Sequence, residues 1–197
     1  MTNKPYSESC VQNREPILAV IKPLLAGSEA VLEIGSGTGQ HAVYFASEMP
    51  HLIWQSSDCA PWLPGIRSWL DEASLANTPD PLELDVTNPW PQLSVDAIFS
   101  ANTVHIMHWP MVEALFAGLG DILPSGGQFL LYGPFNYNGS YSSDSNARFD
   151  VWLKARDPDS GIKDFEALDR LARSAGLNFV SKYLLPANNQ ILLWHKT

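Results

Sequence analysis

The sequence predicts an α/β domain on a doubly wound, seven-stranded, mostly parallel sheet that ends in an antiparallel hairpin. Three observations lead there. Short apolar runs alternate with helical patterns, a glycine-rich turn joins the first run to a helix, and a turn signal separates the last two runs. The first helical pattern opens at Pro16 and closes at Gly27, with Ile17, Leu18, Val20, Ile21, Leu24 and Leu25 broadly on one side. Ala30–Ile34 reads as a buried strand and Gln40–Glu48 as the helix after the glycine turn. Leu52–Ser56 is a second strand and Trp62–Ala76 a helix, whose start is blurred by Pro64 and Gly65. Leu82–Leu84 and Asp96–Ser100 are further strands, Trp109–Leu123 is helical, and Gly126-Gly127 precedes a strand at Gln128–Tyr132. After a polar loop, Gly133–Ser145, comes a helical stretch with Phe149, Trp152 and Leu153 on one face. A helix over Asp164–Ala175 follows, then strands Phe179–Leu185 and Gln190–His195 around Pro186-Ala187-Asn188-Asn189. Strands alternating with helices imply a sheet covered on both faces.

At 197 residues the chain suits one domain, given a prior of roughly 150 residues per domain. Within residues 1–197 the pattern divides into a helical segment 1–27, a core 28–133, a loop and helical segment 134–176, and the hairpin 177–197. Twelve Lys and Arg against 21 Asp and Glu leave a charge of −9, and the positive residues are scattered. A duplex nucleic-acid partner is therefore not expected, because phosphate neutralisation drives that affinity, and an anionic membrane surface would be repelled. The longest uncharged stretch, Ala97–Val112, is interrupted by Ser100, Asn102, Thr103, two histidines and Pro110, so it does not suit a bilayer span. Met1–Ser9 is polar without an apolar core, so no secretory signal is visible, and a cytoplasmic location is the expectation. Cys10 and Cys59 lack metal-type spacing, and no metal is expected.

Val31-Leu32-Glu33-Ile34-Gly35-Ser36-Gly37-Thr38-Gly39-Gln40 is the sharpest local feature: a strand, a glycine turn, then a helix. Glycines let a ligand approach the backbone closely, and a helix start offers free N–H donors. Asp58 follows Gly39 by about 20 residues, where a carboxylate can accept from ribose hydroxyls. Asp85, after the third strand, is placed to accept from an adenine amino group; turn or cap duty is the plainer alternative for both. A dinucleotide fingerprint would need glycine where Gln40 stands, and no Tyr-x-x-x-Lys pair occurs, so a nicotinamide-dependent reductase is the weaker alternative.

On these residues the chain resembles the class I S-adenosylmethionine-dependent methyltransferases over about residues 16–197. Glu33, Gly35, Gly37, Gly39, Asp58 and Asp85 match the landmarks of that Rossmann-like superfamily in order, and Asn102 takes its position after the fourth strand. It also resembles the domain-of-unknown-function 938 family, of the methyltransferase-like 26 type. The matching stretches are Asn13-Arg14-Glu15-Pro16-Ile17-Leu18, Asn102-Thr103-Val104-His105-Ile106, Tyr132-Gly133-Pro134-Phe135, Ser145-Asn146-Ala147-Arg148-Phe149-Asp150 and Pro186-Ala187-Asn188-Asn189. The resemblance implies a methyltransferase using S-adenosyl-L-methionine. The glycine turn, Ser36 included, would hold the methionine portion, Asp58 the ribose, and Asp85 with the backbone at Val86 the adenine. The resemblance names no substrate; the expected methyl acceptor is a small molecule or a protein side chain. The Asn-Pro-Pro-aromatic tetrapeptide of amino-group methyltransferases is missing, since Asn102 precedes Thr103-Val104-His105. A non-catalytic cofactor-binding module remains an alternative.

Ligands of such sheets sit at the carboxyl ends of the strands. His105, just past the fourth strand, is the candidate general base, because an imidazole suits proton transfer near neutral pH. His41, in the first turn after the glycine loop, is placed to touch cofactor or substrate. Tyr132, Phe135 and Asn138 leave the fifth strand, and Asn188 and Asn189 sit at the hairpin turn, all on the same rim; they suit a small polar substrate. If Arg14 and Arg148 face the pocket, they would bind a carboxylate or phosphate on it.

Overall fold

Five short strands pair in parallel. In the computed structural model, which describes residues 4–197, they are β1 (Ala30–Ile34), β2 (Ile53–Asp58), β3 (Leu82–Glu83), β4 (Ala97–Ala101) and β5 (Gln128–Gly133). The central ones, β1, β4 and β5, are buried on both faces. Met1, Thr2 and Asn3 of the polar leading stretch lie outside the described residues. The hairpin strands β6 (Leu177–Leu185) and β7 (Asn189–Lys196) complete a seven-stranded sheet of order β3-β2-β1-β4-β5-β7-β6, with β7 antiparallel to both neighbours. The strand order reverses between β1 and β4, whose ends lie side by side with Ile34 opposite Ser100. Such a switch point opens a crevice at the strand tips.

Helices cover both faces, because the central strands bury side chains in both directions. One face packs α1 (Glu8–Leu24), α2 (Gln40–Glu48) and α3 (Leu63–Ala73) through Ile17, Ile21, Phe45, Ile66 and Leu70 against Val31, Trp54 and Phe99. The other packs α4 (Trp109–Ile122) and α6 (Phe165–Ser174) through Val112, Phe116, Leu119 and Leu168 against Phe129 and Trp194. The remaining helix, α5 (Asp144–Arg156), crosses the carboxyl edge, started by Ser143 Oγ accepting from the Asn146 N–H at 3.1 Å. Among the described residues no helix is long and apolar enough to cross a membrane.

Several boundaries move. The first helix begins at Glu8, not Pro16, and carries Pro16 and Pro23 inside it. Its opening turns are polar and have no apolar period to read. The backbone bond lost at Pro16 is tolerated because Ile17, Ile21 and Leu25 are fully buried just beyond it. A short 3-10 turn, Ala60–Trp62, precedes α3, and β3 keeps only two residues. The 133–145 loop is tied down: Asn136 N–H donates to Lys163 O (3.0 Å), Phe165 N–H to Asn136 O (2.9 Å), and Gly139 N–H to Asp164 Oδ2 (2.6 Å).

Candidate functional site

β1 ends in the turn that the glycines allow. Gly35, Gly37 and Gly39 have φ of +72°, +58° and +89°, the left-handed region where a side chain costs energy. Two are also hemmed in. A Cβ on Gly35 would lie 2.4 Å from Thr103 Cγ2, and one on Gly39 would lie 3.0 Å from Ile66 Cα. Gly37 differs, for a Cβ there would meet nothing within 4 Å, so the turn presents open space at its middle glycine. Gly35 and Ser36 N–H both donate to Ser57 O at 3.0 Å, which fixes the turn on the tip of β2.

Asp58 closes that tip. Its Oδ2 accepts from Gly37 N–H (2.8 Å) and its Oδ1 from Cys59 N–H (2.7 Å). Burial raises its pKa, and those two amides pull it back down. A carboxylate has about four acceptor positions, so two remain for further donors. Asp85 makes the turn contacts that were its plainer alternative: Oδ1 accepts from Thr87 N–H (2.9 Å) and Oγ1–H (2.7 Å), which lowers its pKa. Val86 is a core residue whose carbonyl accepts from Trp90 Nε1–H at 3.3 Å.

Glu33 lies beneath the turn. Ser36 Oγ–H (2.9 Å) and Trp54 Nε1–H (3.1 Å) both donate to its Oε2, so it braces the turn from below. Burial raises its carboxyl from 4.5 to about 7, against the lowering effect of those two donors. Between 4.5 and 7 the folded chain holds a proton that the unfolded chain has released, so stability falls as pH rises through that window. Glu33→Gln keeps an acceptor for both donors. It is expected to abolish that slope and to raise stability at pH 8 by about 1–3 kcal/mol, read from urea unfolding at pH 5 and pH 8. Equal pH slopes in the two proteins would contradict the assignment.

Across the switch point a cavity of about 570 Å³ opens over the tips of β4, β5 and the β6–β7 turn. Asn102, His105 and Ile106 line it beyond β4, Tyr132 at β5, and Pro186, Ala187 and Asn189 at the hairpin. Ser9, Gln12, Asn13 and Pro16 of α1 and Phe149, Trp152 and Leu153 of α5 form its other walls. Asn102 and Ala187 hold left-handed backbone (both φ +59°), a cost that concentrates at functional rims. A hydroxyl ladder joins the two halves: Thr103 Oγ1–H donates to Ser100 Oγ (2.6 Å), which donates to Ile34 O (2.8 Å).

His105 is buried against Phe149, ring centroids 5.3 Å apart and edge-on, and its Nδ1 has no hydrogen-bond partner among the described residues. Burial, aided by the Lys163 charge, pushes its pKa down to about 4, so the ring is neutral across the physiological range. His41 is likewise pushed down to about 4 by burial. It faces α1 and not the cavity: its Nε2 lies 2.7 Å from Asn13 Oδ1 and its ring stacks on Phe45. Burial raises the Tyr132 phenol, opposed by hydrogen bonding from Asn13 and Asn189. Tyr132 and both asparagines line the cavity.

Other rim candidates lie elsewhere. Phe135 is fully buried in the core with Val104 and Leu131. Asn138 takes a left-handed turn position (φ +50°) and its N–H donates to Glu166 Oε2. Asn188 serves the hairpin turn (φ +58°), its amide donating to Ser145 Oγ at 2.9 Å. Neither arginine lines the cavity: the Arg14 guanidinium lies over the Tyr44 ring, 4.5 Å from its centroid, and Arg148 is exposed on α5. His108 pairs with Asp157 at 2.7 Å on the surface, which also brings Asp159 close. A second hollow, about 530 Å³, runs along the outside of α1 by Lys22 and Tyr44, away from the strand tips. The α1 wall carries no sequence signal, because the turns before Pro16 are polar. Once the helix begins at Glu8, Ser9, Gln12, Asn13 and Pro16 fall at helical spacing on one face.

Comparison with known proteins agrees with this architecture. The family model described as "Protein of unknown function (DUF938)" matches residues 4–196. The chain is similar to the mitomycin 7-O-methyltransferase MmcR (15% identity, TM-score 0.84, covering 96% of this chain and 54% of that one). It is similar to the S-adenosylmethionine-dependent methyltransferase SibL in its apo form (20%, TM-score 0.81, covering 95% and 55%). It is also similar to human N-acetylserotonin methyltransferase in complex with S-adenosylmethionine (16%, TM-score 0.81, covering 96% and 53%). The chain thus spans about half the length of these solved structures, and at such identities the likeness is one of fold.

Proposed function

The chain belongs to the DUF938 family and has the class I methyltransferase fold, and from that premise we propose that it transfers a methyl group from S-adenosylmethionine to a small molecule or a protein side chain. One juxtaposition carries this reading: an open middle glycine beside Asp58 on the β1 side of the switch point, and a cavity holding a neutral histidine on the β4 side. The residues present fit such a cofactor. Gly37 leaves room for a ligand, Asp58 has acceptor positions for two ribose hydroxyls, and Asp85 Oδ2 is left unused by the Thr87 contacts.

S-adenosylmethionine, when bound, would supply a methyl group made electrophilic by its sulfonium. The chain's part is to align the acceptor, exclude water and take any proton the acceptor releases. His105 serves as that base, its neutral ring holding a free lone pair, and it passes the proton on to solvent. Asn102, Asn189 and Tyr132 orient the acceptor.

Calorimetric titration tests the cofactor half, with S-adenosylhomocysteine expected to bind one to one and NADH not at all. Binding of NADH alone would favour the reductase. For Asp58→Ala, a loss of roughly 1–3 kcal/mol of S-adenosylhomocysteine affinity is expected, the scale of an acceptor removed from buried donors. Unchanged affinity would mean that the ribose lies elsewhere. Isotope-labelled cofactor incubated with cell extract tests transfer; label that never leaves the cofactor would favour a binding module.

A further inference from the structure

We infer that the cavity beside His105 takes an uncharged, planar aromatic or heteroaromatic compound whose edge both donates and accepts hydrogen bonds. The inference rests on the methyltransferase reading for its consequence, but stands on the cavity walls. Among the described residues no Asp, Glu, Lys or Arg lines the cavity. Its polar contacts come from amides and hydroxyls, such as Asn13, Asn102, Asn189 and Tyr132, and from a histidine that burial keeps neutral. An anion would find no counter-charge among the lining residues: the Arg156 guanidinium is spread over the Trp152 ring and Lys163 does not line the cavity, so neither supplies the hydrogen-bonded pair that a buried anion needs. The arginines that the sequence offered for an anion are elsewhere, one over Tyr44 and one exposed.

A cation is excluded by a different contact. The aromatic wall runs from His105, beyond β4, onto one face of α5: His105 is edge-on to Phe149, and Phe149 is stacked with Trp152 at 5.7 Å and 20°. The Arg156 guanidinium already lies over the Trp152 ring, 4.1 Å from its centroid, and would repel a second positive charge. What remains attractive is stacking with a neutral ring. Trp152 is 49% exposed and Ile106 is 60% exposed at the same wall, so apolar surface meets solvent where a flat ligand would enter. The amides of Asn102 and Asn189 each carry a donor and an acceptor, which suits an edge bearing both, while the Asn13 oxygen is already engaged with His41.

Three near-isosteric probes separate the charges: 2-naphthamide (neutral), 2-naphthoate (anionic) and 2-naphthylmethylammonium (cationic). Each is titrated by calorimetry into the full chain, with and without S-adenosylhomocysteine. The expected result is 2-naphthamide binding at least tenfold more tightly than either charged probe. Trp152→Ala and Asn189→Ala should each weaken it about fivefold or more, with melting temperatures showing that both variants remain folded. Equal or tighter binding of 2-naphthoate or the ammonium, binding of none of the three, or 2-naphthamide affinity indifferent to both substitutions would overturn the inference. If the probes rank as expected while S-adenosylhomocysteine fails to bind, the substrate class survives and the methyltransferase reading falls; the reverse pattern separates them the other way.

Discussion

Replacing His105 by glutamine is expected to slow methyl transfer by about 10²- to 10⁴-fold, the usual worth of a positioned general base, while leaving S-adenosylhomocysteine affinity within about threefold. The ring lies on the cavity side of the switch point, apart from the glycine turn, so turnover and cofactor binding separate. The pH profile carries a second signature. Burial pushes the pKa down to about 4, and the neutral ring is the form that accepts a proton. The wild-type rate should therefore be level from about pH 6 upward on this account, falling only as pH drops toward 4. An ordinary exposed imidazole would instead give a fall near 6.5. Rates that are the same in wild type and His105→Gln would remove His105 as the base.

Gly37→Ala and Gly35→Ala are expected to fail in opposite ways. At Gly37 a Cβ meets nothing within 4 Å, so the fold bears only the left-handed backbone cost of about 1–2 kcal/mol. The new methyl, however, stands where the cofactor would pass, and S-adenosylhomocysteine affinity should fall at least tenfold. At Gly35 the Cβ would lie 2.4 Å from Thr103 Cγ2, and Thr103 anchors the hydroxyl ladder from Ser100 to Ile34. Backbone cost and overpacking together should destabilise that variant by about 2–5 kcal/mol. Melting curves alongside calorimetry read both. A Gly37→Ala protein that binds the cofactor as well as wild type would contradict the site.

The sheet was legible because its strands carry their own signals: apolar runs at β1, β4 and β5, and Gly35, Gly37 and Gly39 at the point that needs left-handed backbone. Asp58 was legible too, since a carboxylate at the tip of β2 is fixed by strand length and turn geometry alone. Glu33 was found in sequence but lies under the turn, bonded to Ser36 and Trp54, because alternation along β1 sends its side chain inward. The substrate-side residues were harder. Phe135 and Tyr132 are buried in different core clusters, and only Tyr132 also lines the cavity, a difference set by which side of the sheet each side chain takes. Asn13 was not legible, because its place on the cavity wall depends on the helix starting at Glu8, and polar opening turns carry no periodicity. Phe149 and Trp152 were seen as one helical face, but only packing shows what that face covers.

A crystal structure of the chain with S-adenosylhomocysteine tests the central claim most directly. The ribose hydroxyls should meet Asp58, the amino-acid portion should lie over Gly37, and the sulfur should face the cavity that holds His105. Adenosyl density away from the β1–β4 switch point, or sulfur turned from that cavity, would contradict it.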